Sequence, residues 1–241
     1  MKKLVILIFA MLISTTTQAQ WWGSKKVKGN GKMTTVKRST GDYDAIKCAG
    51  SMDYILVAGK EGNITIEGEE NLIEHIITEV KGDKLIVKVE KGINLSPSWN
   101  KTIKITIPFE SIDEVSLAGS GDLWNEDKIK ADSFSVSLAG SGDVVLDIDA
   151  TSVDGSLAGS GDLTLKGNTN DLEASLAGSG DIHAFGLNSN NTVVSVAGSG
   201  DAQVVSKVSL KARVSGSGDI EYRGNPGKED TKVSGSGSIS N

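Results

Sequence analysis

The chain has 241 residues, of which 29 are glycine and only 3 are proline. This length suits one large domain or two small ones, and the glycine content indicates many tight turns. The formal net charge of −6 argues against a nucleic-acid partner, because phosphate binding requires a basic surface. The single cysteine, Cys48, excludes an intramolecular disulfide and a cysteine-based metal cluster.

The N-terminus has the pattern of an export signal. Lys2 and Lys3 precede an apolar run at Leu4–Ile13, and Thr17–Ala19 is an acceptable small-residue cleavage site. We predict that residues 1–19 are a cleaved signal peptide and that no membrane-spanning segment remains in the mature chain. A retained membrane anchor is the alternative, but the apolar run is shorter than the ~20 residues that a spanning helix needs. We therefore expect the protein in the periplasm, on the outer-membrane surface or outside the cell.

The next segment, residues 20–41, is polar and locally basic. It opens on Trp21 and Trp22 and contains no acidic residue. Its basic residues are Lys25, Lys26, Lys28, Lys32, Lys37 and Arg38. We predict a flexible spacer between the signal and the folded domain. The alternative is a basic arm with aromatic residues that touches a membrane surface or an anionic glycan.

From residue 42 the sequence alternates between apolar and polar residues, which is typical of β-strands. Strands are expected at residues 44–57 (around a turn), 63–68, 84–90 and 101–108, with one helical turn at 71–77. The interval Lys91–Asn100 contains Pro97 and Trp99, and we expect it to protrude irregularly. This region is thus predicted to be a less regular, β-rich N-terminal part.

A repeated heptapeptide organises the second half of the chain. The copies are SLAGSGD at Ser116–Asp122, Ser137–Asp143, Ser156–Asp162 and Ser175–Asp181, SVAGSGD at Ser195–Asp201, VSGSGD at Val214–Asp219 and VSGSGS at Val233–Ser238. Their first glycines lie 21, 19, 19, 20, 18 and 19 residues apart. A period near 20 residues is the signature of a solenoid in which each repeat is one coil. We therefore predict that residues 42–241 form one all-β domain, a parallel β-helix, right-handed as parallel crossovers usually are.

Alignment of the coils produces apolar rows that should form the core. One row lies inside the motif and comprises Leu117, Leu138, Leu157, Leu176, Val196, Val214 and Val233. A second row follows the motif and comprises Leu123, Val144, Leu163, Ile182, Ala202, Ile220 and Ile239. A third row lies two residues further on and comprises Leu146, Leu165, Ala184, Val204 and Tyr222. Because side chains alternate across a strand, the residues that follow the second row directly should face solvent: Trp124, Val145, Thr164, His183, Gln203, Glu221 and Ser240. Cys48 occupies the Leu117 slot in a degraded copy of the motif, which predicts a buried, unreactive thiol.

We assign the glycines and aspartates of the motif a structural role at corners between strands. Glycine accepts positive φ, and an aspartate can accept hydrogen bonds from nearby backbone N–H groups. The corner residues are Gly119, Asp122, Gly140, Asp143, Gly159, Asp162, Gly178, Asp181, Gly198, Asp201, Gly216 and Asp219.

A calcium-stabilised β-roll is one alternative for the row of aspartates. However, the motif occurs once per coil and lacks the spacing of the calcium-binding nonapeptide. A melting temperature that does not respond to EDTA or calcium would exclude this alternative. We predict no metal and no cofactor.

A β-helix enzyme that acts on polysaccharide is a second alternative. Such a site needs acids and bases clustered in a cleft, whereas these aspartates are periodic and the only histidines are His75 and His183. The sequence contains no nucleophile elbow, phosphate loop or metal-ligand motif, so we assign no catalytic residue. Two exposed aromatic residues are the candidates for ligand contact: Trp124 on a solvent-facing row and Trp99 in the interval Lys91–Asn100.

Several short stretches also carry a resemblance to a known family. They are Asp44–Lys47, Asn63–Glu67, Asp83–Val87, Ile107–Pro108, the repeated AGSGD units and Gly218–Pro226. In this order and spacing, the chain resembles the putative auto-transporter adhesin head (GIN-type) domain family from about residue 41 to the end. The resemblance implies a β-helix on an exported protein of Bacteroidetes-like bacteria and supplies no catalytic residues.

We therefore predict a non-catalytic envelope or cell-surface protein, an adhesin or scaffold that binds a glycan or a protein. The last coil turns polar at residues 238–241, which suits a cap because an uncovered coil is an open edge. The same end would also suit contact with a second copy in a homo-oligomer. The polysaccharide-acting enzyme and the calcium β-roll remain the alternatives.

Overall fold

Parallel strands stacked coil on coil form the body of the protein in a computed structural model that describes residues 24–241. The solenoid has about seven turns, which confirms the predicted all-β parallel β-helix. The predicted signal peptide at residues 1–19, together with Trp21 and Trp22, lies outside the described residues. No helix in the described part of the chain has the length and apolar character needed to cross a membrane.

Within residues 24–241 the elements follow one another in chain order. They are β1 Lys25–Lys28, β2 Met33–Ser39, β3 Ala45–Gly50, β4 Asp53–Ala58, β5 Asn63–Glu69, α1 Glu70–Ile73, β6 Ile76–Lys81, β7 Lys84–Val89, β8 Ile93–Ser96, β9 Lys104–Phe109, β10 Glu114–Gly119, β11 Leu123–Asn125, β12 Ile129–Gly140, β13 Val144–Gly159, β14 Leu163–Gly178, β15 Ile182–Gly198, β16 Ala202–Val205, β17 Ser209–Gly216, β18 Ile220–Arg223, β19 Lys228–Gly235 and β20 Ile239–Ser240.

The motif residues of successive coils lie directly opposite one another in the parallel ladder. Leu138 is in register with Leu117 on one side and with Leu157 on the other, and the row continues through Val214 to Val233. All of its members are at most 2% exposed except Val233, at 41%. Full burial of one such side chain contributes about 1.5–3 kcal/mol, so the stacked rows are the main source of stability.

The uneven repeat spacing has a visible cause in one coil. Thr164 pairs with His183, but Lys166 pairs with Gly186, so β15 carries one extra residue across this stretch. The β-bulge lengthens the coil without disturbing the motif, because Leu176 and Val196 are again in register. The period can therefore vary while the corners remain aligned.

The less regular N-terminal part does not stack in chain order. β3 pairs with β10 on one side and with β7 on the other, and β4 lies likewise between β11 and β9. The coil that contains β7 and β9 is therefore outermost, although it follows β3 and β4 in the sequence. Antiparallel strands close this end of the stack, β6 against β7 and β2 against β5. They cover edges that would otherwise be open to further strand pairing.

Two expectations for the N-terminal part are wrong in the described residues. The segment expected to be a flexible spacer forms β1, paired with β8, and β2, paired with β5. The interval Lys91–Asn100 is not wholly irregular, because it contains β8. Strand pairing overrides the polar composition in both cases, since backbone hydrogen bonds do not depend on side-chain polarity.

Two element boundaries also differ from the expected ones. The helical turn expected at residues 71–77 is shorter and earlier, at α1, and β9 extends to Phe109, one residue beyond the expected end at Pro108.

The opposite end of the solenoid is an exposed edge strand, β19, and not a set of antiparallel strands. β19 is exposed along its whole length and pairs with β17 on one side. Its sequence carries Lys228, Glu229, Asp230 and Lys232, and charged side chains on an edge strand discourage pairing with another chain. The last coil thus presents charged side chains at the unpaired edge of the stack.

Candidate functional site

The repeated corners form a hydrogen-bond ladder that runs between coils. The carbonyl of Gly140 accepts hydrogen bonds from the N–H groups of Ser160, at 2.8 Å, and Gly161, at 3.2 Å. The Asp143 carboxylate accepts the N–H of Asp162 at 3.0 Å. The same two contacts recur from coil to coil and end where Ser238 donates to Asp219. Each aspartate therefore binds the backbone of the next coil rather than that of its own corner.

Stacked carboxylates repel one another only moderately where water surrounds them. At the first corner, burial and the neighbouring Asp122 charge raise the pKa of Asp53. Asp162, Asp181 and His183 each place one ligand atom within 4.8 Å of the others, and the Asp162 Oδ2 lies 3.9 Å from the His183 Nε2. One oxygen of each carboxylate accepts a backbone N–H group, so both aspartates have a structural role in the ladder.

Cys48 lies in the core ladder, in register with Leu117 and Val87. Its side chain is 2% exposed, and burial raises the pKa of the thiol well above its ordinary value. A protonated, buried thiol is a poor nucleophile, which agrees with the inert role expected from its slot.

A groove lined mostly by polar residues runs along the solenoid on the strand segments that precede the motif, and we call it the axial groove. Three adjoining depressions make it up, joined through Ser133 and then through Asn191 and Val193. It is lined by Asp44, Ser111, Ile112, Asp113, Lys130, Ala131, Asp132, Ser133, Ser152, Val153, Asp154, Asp171, Leu172, Glu173, Asn191, Thr192, Val193, Ser209, Leu210, Lys211, Lys228, Glu229 and Asp230. The groove therefore spans the coils from β10 to β19.

The solenoid register sets the chemistry of the axial groove. Asp171 lies between Ser152 and Asn191 in one solvent-facing row, and Glu173 lies between Asp154 and Val193 in a second. The Asn191 Nδ2 donates to the Asp171 Oδ1 at 2.8 Å, and the Ser209 hydroxyl donates to the Asn191 Oδ1 at 2.8 Å. These contacts hold the polar side chains in a fixed array. Each coil then presents polar groups at the ~4.8 Å spacing of adjacent strands.

The axial groove is acidic. Eight carboxylates and three lysines lie among its lining residues, which concentrates negative charge in a protein whose formal net charge is −6. Its acids belong to several coils and alternate with hydroxyl and amide groups. Such a surface favours neutral or basic partners, because it repels phosphate, sulfate and carboxylate groups.

The axial groove was not predicted from the sequence, although the repeat contained a signal for it. From Ser137 to Arg213, a polar residue precedes the motif serine, or its equivalent, by four positions: Ser133, Ser152, Asp171, Asn191 and Ser209. The apolar rows inside and after the motif define the core, and this polar row lies outside both of them. Neither His75 nor His183 lines the groove.

The two tryptophans predicted to contact a ligand lie in different parts of the fold. Trp124 is half-buried on β11, in register with Ile55 and Val145. Trp99 is 91% exposed in the loop between β8 and β9. Neither lines the axial groove, and their contact with a ligand stays a prediction.

A buried carboxylate that the sequence analysis did not identify ties this loop to the N-terminal strands. Glu69 is 1% exposed and accepts the Ser98 hydroxyl at 2.6 Å and the Ser98 N–H at 2.8 Å. It also accepts the N–H of Gly31, in the turn between β1 and β2. Burial opposes ionisation, but these hydrogen bonds and the Lys101 charge hold the pKa of Glu69 below its ordinary value.

Replacement of Glu69 by glutamine is expected to destabilise the N-terminal end by about 1–3 kcal/mol at neutral pH, because an amide cannot satisfy all of these donors. The pKa of the folded state lies below that of the unfolded state, so the stabilisation is present above the unfolded pKa and is lost as the pH falls through the folded one. The difference in the free energy of unfolding between wild type and Glu69→Gln should therefore become smaller at acid pH.

Urea denaturation from pH 7 to pH 3 measures this effect. Glu70→Gln is the matched control, since Glu70 pairs with Lys32 at 3.3 Å with both side chains at least half exposed. We expect the control to change stability by less than about 0.5 kcal/mol. A Glu69→Gln variant as stable as the control would contradict the structural role of Glu69.

A family model and several solved structures match the chain. The family model described as "Putative auto-transporter adhesin, head GIN domain" matches residues 42–226. None of the curated proteins compared with the chain matches it.

Several solved structures share the fold over nearly their whole length. A putative adhesin from Bacteroides fragilis has 26% identity and a TM-score of 0.81, with 89% of this chain and 99% of that chain covered. A putative lipid binding protein from Parabacteroides distasonis has 27% identity and a TM-score of 0.73, with 90% and 99% covered. A putative adhesin from Parabacteroides merdae has 26% identity and a TM-score of 0.70, with 89% and 98% covered.

Proposed function

The chain belongs to the putative auto-transporter adhesin head (GIN) domain family, and from this premise we propose that it is an exported, non-catalytic adhesin of the cell envelope. Its partner is an extended glycan or protein segment, neutral or basic, that lies along the solenoid. The observation that carries this proposal is the axial groove, in which successive coils contribute mostly polar residues to adjoining depressions. A repeated surface suits a polymeric partner, because each coil can make equivalent contacts with the next unit.

The acidity of the axial groove supports the choice of partner. A neutral polymer offers hydroxyl groups to the carboxylates, and a basic segment offers cations. A non-catalytic role fits the distribution of acids and bases. Catalysis on a polysaccharide would require acid and base groups that converge on one bond, whereas the groove acids are spread over several coils and neither histidine is among the lining residues.

The relative described as a putative lipid binding protein offers a different ligand class. An apolar ligand needs an apolar cavity, whereas the interior of this solenoid carries the aliphatic ladders of the core. We therefore favour a polar partner in the axial groove.

A binding screen tests this proposal. The mature protein is applied to immobilised neutral, basic and acidic polysaccharides and to envelope proteins, and bound protein is quantified. We expect binding to neutral or basic partners, weakened at least about tenfold by the double variant Asp171→Asn, Glu173→Gln, because charged hydrogen bonds each contribute about 1.5–3 kcal/mol. Trp99→Ala and Trp124→Ala are measured in parallel, because both residues are predicted contacts.

Glu221→Gln is the matched control, since Glu221 is exposed on β18 and does not line the groove. The control should bind as the wild type does. If the groove variant binds its partner as the wild type does and Trp99→Ala or Trp124→Ala does not bind, the binding site is at the tryptophans and not in the groove. Cleavage of a polysaccharide would overturn the non-catalytic role.

A further inference from the structure

The turn at residues 98–101 holds Trp99 in solvent. The Lys101 N–H donates to the Ser98 carbonyl at 3.0 Å and closes the turn. Asn100 has φ 56°, the one positive value of a non-glycine residue among residues 24–241, and asparagine tolerates this conformation better than most residues. Trp99 is 91% exposed, so the turn displays a large apolar side chain that the fold does not use.

Both ends of this turn are anchored. Ser98 is bound through its N–H and its hydroxyl to the buried carboxylate of Glu69. The Lys101 ammonium donates to the carbonyl of Gly31. A hydrogen-bonded, buried anchor fixes the backbone on either side of Trp99. The exposure of Trp99 is therefore a property of the folded structure.

Basic residues surround the base of the turn. β1 pairs with β8, which leads into the turn, with Lys26 opposite Asn94 and Lys28 opposite Ser96. Lys25, Lys26 and Lys28 are exposed, and within residues 24–241 none of them forms an ion pair with a carboxylate. A second exposed apolar residue, Met33, is 51% exposed and lies opposite Glu69 in the β2–β5 ladder. Because side chains alternate along β1, Lys26 and Lys28 share the face opposite the half-buried Val27. We call Lys26, Lys28, Met33 and Trp99 the cap patch.

We propose that the cap patch docks on an anionic phospholipid surface. Indole rings favour the level of the lipid headgroups, and lysines near the surface are attracted to anionic lipids. A protruding turn suits a planar interface, whereas stacking on a sugar chain favours an aromatic residue that lines a groove.

This docking does not depend on the proposed role of the axial groove, and the two surfaces differ in charge. The cap patch lies at the end of the stack closed by β2 and β6. The groove begins beside β10 and extends coil by coil toward β19. Docking by the cap patch would direct the coils away from the lipid surface.

Vesicle co-sedimentation tests the docking. The mature protein is mixed with vesicles of phosphatidylcholine alone or of phosphatidylcholine with phosphatidylglycerol, at low and high salt. We expect binding to the anionic vesicles only, weakened by salt. Lys26→Glu with Lys28→Glu should weaken it at least about tenfold, and Trp99→Ala about fivefold.

Lys207→Glu with Lys232→Glu is the matched control, because both lysines are exposed at the other end of the chain. It should bind vesicles as the wild type does, and far-UV circular dichroism should be the same for all variants. Equal binding to both vesicle types, or variants that bind like the wild type, would overturn the proposal. Binding to dextran sulfate without binding to vesicles would also overturn it, in favour of an anionic glycan.

Discussion

Gly159→Ala is expected to destabilise the solenoid by about 3 kcal/mol or more, because it combines backbone strain with a steric clash. Gly159 has φ 143°, a region that residues with a Cβ rarely adopt. A Cβ there would lie 2.0 Å from the carbonyl oxygen of Gly140 in the preceding coil. That oxygen accepts the N–H groups of Ser160 and Gly161, so relief of the clash would separate two coils and break the corner ladder.

Gly227→Ala is the matched control for this prediction. No atom lies within 4 Å of a Cβ built on Gly227, and its φ is outside the strained range. We expect a change of less than about 0.5 kcal/mol there. Urea denaturation followed by far-UV circular dichroism compares the two variants. Equal free energies of unfolding for Gly159→Ala and Gly227→Ala would contradict the close packing of neighbouring coils at the corners.

The repeated half of the fold was predictable because local chemistry and global period agree in every coil. The motif leucines, the corner glycines and the following apolar row all specify the same stacked strand. Cys48 followed the same logic, since its slot in a degraded motif predicts its register with Leu117. A bulge such as the one at Gly186 was not predictable, because a single extra residue leaves the pattern on either side intact.

The N-terminal part was predictable only as strands. Nothing in residues 84–109 indicates that β7 and β9 stack outside β3 and β4, because register between coils is set by long-range pairing. The lysines of β1 gave it a polar sequence that did not predict a strand. The burial of Glu69 was not predicted either, because a single glutamate in a sequence does not indicate whether its carboxylate is buried. Both belong to the anchored end that displays Trp99.

The candidate site was less predictable than the fold, for a physical reason. An apolar row is constrained in every coil because it must be buried. A solvent-facing row such as that of Ser152, Asp171 and Asn191 can vary in side chain and still permit the same fold. Its chemistry becomes visible only when the register places these residues in one groove.

Val214→Ala is expected to cost about 2–3 kcal/mol, because it removes two buried methyl groups and leaves a cavity. Val233→Ala makes the same chemical change one coil further along the same row. Val214 is 2% exposed and Val233 is 41% exposed, so the second change should cost less than about 1 kcal/mol. The two variants form a matched pair that differs only in whether another coil covers the slot.

Hydrogen exchange of the β17 amides, together with urea denaturation, measures this difference, because terminal coils of a solenoid can open independently of the rest. The comparison also tests the open end of the stack. If Val233→Ala costs as much as Val214→Ala, the last coil must be covered in solution, and a second copy of the chain is the direct candidate. If Val233→Ala changes the stability much less than Val214→Ala at every protein concentration, no second copy covers the last coil, as the charged side chains of β19 indicate.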